Sequence, residues 1–86
     1  MRFKNLGFIQ HPHVRYAIMA QVFADDGTRI SIVCGEDMYS SSRDGNKAEC
    51  QRVEDASSFE VFVDGEDDVR GWQTREDIDK LLAEYF

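Results

Sequence analysis

Residues 14–35, VRYAIMAQVFADDGTRISIVCG, decide the fold. Val14, Tyr16, Ile18, Ala20 and Val22 alternate onto one face of a strand spanning 14–24, with Arg15, Ala17, Met19, Gln21 and Phe23 on the other. The second face is half apolar as well, which points to a central place in a sheet. Residues 28–35 read as the next strand, with Ile30, Ile32 and Cys34 on one face. Between the two lies Asp25-Asp26-Gly27, and the turn sets the register. A two-residue Asp26-Gly27 turn places Phe23, Gln21 and Met19 beside Ile30, Ile32 and Cys34. A three-residue loop places Val22, Ala20 and Ile18 there instead and puts Gly27 where φ must be positive. The second register gives each site an apolar partner. A slip of one residue would turn the whole apolar set to water.

Further along the chain, residues 58–63, SFEVFV, form a strong strand with Phe59, Val61 and Val63 inward. Asp64 to Asp68 make the next turn, and residues 69–73 a short strand weakened by Gly71. Residues 36–47 are a polar break, and residues 48–54 a weak, charged edge strand. The helix comes last, over 74–85. Thr74 caps it, Asp77 completes a near capping box, and Ile78, Leu81, Leu82 and Tyr85 make one apolar stripe. A helix of about twelve residues is marginal alone, so it docks on the sheet. Phe3, Leu6, Phe8 and Ile9 are too apolar for a free tail, and the first thirteen residues are expected to pack on the domain. The fold class is therefore α+β. An antiparallel sheet of about four strands, in the order β-β-(β)-β-β, carries one C-terminal helix on a single 1–86 domain.

The 86 residues exclude multidomain enzymes and large barrels. The 42% hydrophobic content suffices for a core, and the absence of any long apolar run excludes a membrane-spanning helix. His11, Pro12, His13 and Arg15 interrupt any signal-peptide core, so a cytoplasmic location is expected, with Cys34 and Cys50 as free thiols that pack like small apolar residues and a bridge between them as the lesser alternative.

The formal net charge of −7 is unevenly spread. Residues 1–53 carry +1, whereas residues 54–86 hold three cations against eleven carboxylates, a net −8. Such a surface repels nucleic acid and anionic membranes and attracts a basic protein. The candidate partner-binding residues are Asp64, Glu66, Asp67 and Asp68 in the turn and Glu76, Asp77 and Asp79 on the helix. Tyr39, in the polar mid-chain loop, joins them as an exposed aromatic contact, while Trp72 is read as a core plug between sheet and helix.

Other chemistry finds little support. The 64–68 run lacks the spacing of a calcium loop, and His11, His13, Cys34 and Cys50 lack that of a zinc site. There is no nucleophile elbow and no phosphate-binding loop. No metal, no cofactor and no enzymatic activity are expected. No stretch matches the motif of a known family. In size, acidity and single-domain build the chain resembles the short inhibitors that phages encode, nucleic-acid mimics and anti-CRISPR proteins among them. That likeness is one of composition and covers no particular residues. The expected function is a small, non-catalytic, acidic protein-binding module that inhibits a nucleic-acid-binding partner by docking on its basic surface. The alternative is a structural or regulatory domain that self-associates, as a homodimer for example, through a sheet edge or through Met19 and Phe23.

Overall fold

A computed structural model describes residues 1–43 and 50–86. Six strands and one helix follow in chain order: β1 (Ile9–Gln10), β2 (Ile18–Phe23), β3 (Arg29–Cys34), β4 (Ser41–Ser42), β5 (Ala56–Val63), β6 (Arg70–Gln73) and α1 (Arg75–Tyr85). Single 3-10 turns occupy Phe3–Asn5 and Val53–Asp55. All strand pairs are antiparallel. The sheet runs β1-β2-β3-β5, and β3 and β6 flank β5 on opposite edges, since Val61 pairs with both Ile32 and Arg70. β4 pairs with the first half of β5.

The β2–β3 hairpin has the three-residue loop. Ile18, Ala20 and Val22 lie opposite Cys34, Ile32 and Ile30. Ala24 N donates to Thr28 O at 2.9 Å, Gly27 N donates to Ala24 O at 2.9 Å, and Gly27 has φ 89°. Asp26 Oδ1 accepts from Thr28 N, which tightens the turn. Glycine sits at the left-handed position because it has no Cβ to clash there.

The core forms on one face of this sheet. Ile18, Ile30, Ile32, Phe59, Val61 and Val63 meet Ile78, Leu81 and Leu82 of α1, and Phe3, Leu6 and Phe8 pack against them. Phe3 and Phe8 each stand within 6 Å of the Phe59 ring, centroid to centroid, so the N-terminal segment closes the core as expected. At the head of α1, Thr74 and Asp77 form a complete capping box. Arg75 does something that no local pattern announces. Its guanidinium donates to Ala56 O and Val53 O at 3.0 Å and lies over the rings of Phe3 and Phe59.

Several expectations need correction. The strand expected over 14–24 begins only at Ile18. Val14 lies in the preceding bend and Tyr16 in the turn that follows it, where its left-handed backbone, φ 57°, interrupts the extended chain. The sheet has six strands rather than about four, because the two-residue β1 and β4 leave almost no alternation to read. The strand expected over 48–54 is absent from its described part: Val53–Asp55 is a 3-10 turn, and residues 48 and 49 lie outside the described residues, as does 44–47 of the polar break. β5 starts two residues early, at Ala56.

Candidate functional site

The sheet's second face shows what the fold leaves for function. Cross-strand partners share a face, so Ile9, Met19, Val33 and Glu60 form one row, Gln21, Ser31 and Phe62 the next, and Phe23 and Arg29 a third. The helix and the N-terminal segment both lie on the opposite, core face. Among the described residues this outer face is therefore open: Ile9 and Phe23 are each 62% exposed, and Met19, Val33 and Phe62 are half-buried.

One corner of this face is built differently. The β5–β6 register shifts between Phe59 and Val61, placing an extra residue in β6. Trp72 sits in that bulge at φ 50°. Its indole, far from plugging the core, is 59% exposed. It packs on Tyr39, itself 55% exposed, with ring centroids 5.3 Å apart. Two backbone contacts fix the pair: Trp72 N donates to Tyr39 O at 2.8 Å, and Tyr39 N donates to Glu60 Oε1 at 3.3 Å. Gly71 permits the approach, since a Cβ there would stand 2.9 Å from Tyr39 Cβ. Tyr39 is exposed as its loop suggested. Trp72 was missed, although the glycine beside it in a strand was the available signal of close backbone approach.

The seven acidic candidates divide by what they already hold. Asp64 pairs with Arg29 at 3.2 Å. Glu66 accepts two bonds from Arg70, at 3.0 and 2.6 Å, and these hold its carboxyl below the usual range. The Asp77 carboxylate accepts from Thr74 N, its backbone N–H donates to Thr74 Oγ1, and the bonds from Thr74 lower its pKa. Asp79 accepts the backbone N–H of Phe3 at 2.6 Å and faces Arg2 at 3.5 Å. The bond from Phe3 is the main cause of its lowered pKa. These four carboxylates fasten turns, a helix end and the N-terminal segment. Asp67, Asp68 and Glu76 are exposed, and their carboxylates make no hydrogen bond or ion pair with the described residues.

The remaining polar candidates are spread across the fold. His11 Nδ1 accepts from the backbone N–H groups of His13 and Val14 and shapes the turn before β2. Cys34 and Cys50 meet each other in the core. Among the described residues no group of three or more His, Cys, Asp or Glu side chains converges on a point. No helix of the described residues is long and apolar enough to cross a membrane. Comparison with protein-family models, with curated proteins and with solved structures gives no match.

Proposed function

We propose that the chain is a small, non-catalytic protein-binding module that docks the Tyr39–Trp72 corner of its outer sheet face on a basic protein surface. Trp72 carries this reading. A left-handed backbone costs an L-residue about 1–2 kcal/mol, and here burial returns little of it, because the indole faces solvent beside a second exposed aromatic. Strain of this kind collects at functional positions, and Trp and Tyr are favoured anchors of protein interfaces.

Charge selects the partner. The chain carries −7, and Asp67 and Asp68 sit in the turn that leads into β6 and Trp72. A basic surface is drawn to that field, whereas a second copy brings the same −7 and is repelled. On this reading the partner's basic surface is one that ordinarily holds nucleic acid, and the module inhibits by occupying it.

The test compares the wild type, Trp72→Gly and the triple variant Asp67→Asn/Asp68→Asn/Glu76→Gln, each immobilised in a cell lysate at low and moderate salt. The expected result has three parts. Nucleic-acid-binding proteins are retained by the wild type, weakened by the triple variant and by salt, and lost with Trp72→Gly. The soluble wild-type chain then displaces nucleic acid from the retained protein. Identical retention by all three chains overturns the reading. Sedimentation of the chain alone tests the alternative. A dimer that Trp72→Gly dissolves would make a second copy the partner.

A further inference from the structure

Cys34 ends β3, opposite Ile18 of β2. Cys50, sixteen positions later, is tied by its backbone N–H to Tyr16 O, just ahead of β2. The two side chains therefore converge from opposite ends of one short stretch of the fold. Their sulfurs are 2.7 Å apart, and neither residue has exposed surface. Cys50 also lines a cleft of about 300 Å³ whose other walls include His11, Arg15, Tyr16 and Gln51. Cys50 thus borders the cleft, although its side chain is covered, while Cys34 does not line it.

We propose that Cys34 and Cys50 are a reversible dithiol–disulfide pair, oxidised by a small disulfide such as glutathione disulfide. Cys50, reached through the cleft, attacks as thiolate on one sulfur of glutathione disulfide, which breaks the reagent's S–S bond and releases one glutathione thiolate. Cys34 then attacks the Cys50 sulfur of the mixed disulfide and releases the second. Two protein thiols are oxidised, one reagent disulfide is reduced, and the two protein protons end on the two glutathione molecules. Because both sulfurs are covered, the exchange needs local opening at the cleft and is slow beside that of an exposed thiol. The bridge locks the end of β3 to the segment that leads, through the Val53–Asp55 turn, into β5.

The experiment incubates the purified chain with glutathione disulfide, alkylates the remaining thiols in denaturant, and reads intact mass and thermal midpoint with and without dithiothreitol. The expected product is a monomer lighter by two hydrogen atoms, with no alkylated cysteine. Closing a loop of this size raises the midpoint by about 10–20 °C, and dithiothreitol reverses the shift. Cys34→Ala, which cannot close the ring, shows no such rise and retains glutathione on Cys50. Two alkylated thiols after prolonged oxidation, a stable glutathione adduct on the wild type, disulfide-linked dimers, or a bridged chain that melts lower would each overturn the proposal.

Discussion

Replacing Trp72 by glycine and by alanine separates backbone strain from side-chain packing. Both variants lose the indole and its contact with Tyr39, so that loss cancels between them. What remains is the backbone. At an ordinary strand position alanine is the more stable, by about 0.5–1 kcal/mol, because glycine loses more chain entropy on folding. At φ 50° an L-residue bears about 1–2 kcal/mol that glycine does not. The strain offsets the entropy and more, so Trp72→Gly should be more stable than Trp72→Ala by up to about 1.5 kcal/mol. Urea unfolding followed by far-UV circular dichroism reads the difference without needing tryptophan. An alanine variant more stable than the glycine variant would place residue 72 in an ordinary strand and remove the strain from which the docking surface is argued.

Three further outcomes are expected. Leu81→Ala should cost about 2–4 kcal/mol by opening a cavity between α1 and the sheet, read as a lower urea midpoint. Gly35→Ala should cost about 1–3 kcal/mol, because the added methyl collides with Ala17 Cβ and comes within 2.9 Å of its Cα; an unchanged melting point would contradict that packing. The carboxyls of Glu66, Asp77 and Asp79 titrate below their usual values in the folded chain. Protons therefore bind the unfolded chain first as pH falls. The stability these groups contribute is present above about pH 4 and is lost as pH drops through their folded values. Urea midpoints at pH 7 and pH 3 should show that fall, and Asp79→Asn should flatten it; an identical slope in the variant would refute the assignment.

How much of this was legible in the sequence depends on the range of the forces involved. The β2–β3 register and the Thr74 cap were readable because each rests on a few neighbouring residues, Asp25-Asp26-Gly27 in one case and Thr74 with Asp77 in the other. Asp79 looked like one more acid on a polar helix face, yet it holds the backbone of Phe3, 76 positions away, and no local spacing encodes that contact. Arg75 escaped notice for the same reason. Trp72 was misplaced because apolar patterning assigns large aromatics to the core, whereas a one-residue bulge in β6 turned this one out. The acidic surface was visible as composition, but only geometry divides it into carboxylates that brace the fold and those that remain for a partner.

Trp72 is the only tryptophan in the chain, so its fluorescence reports on the proposed docking corner alone. Quenching of the folded protein by caesium and by iodide tests exposure and local charge together. An exposed indole in an acidic surround should emit close to free tryptophan in water and be quenched more strongly by the cation than by the anion. A blue-shifted emission that neither ion quenches would return Trp72 to the core and contradict the docking surface.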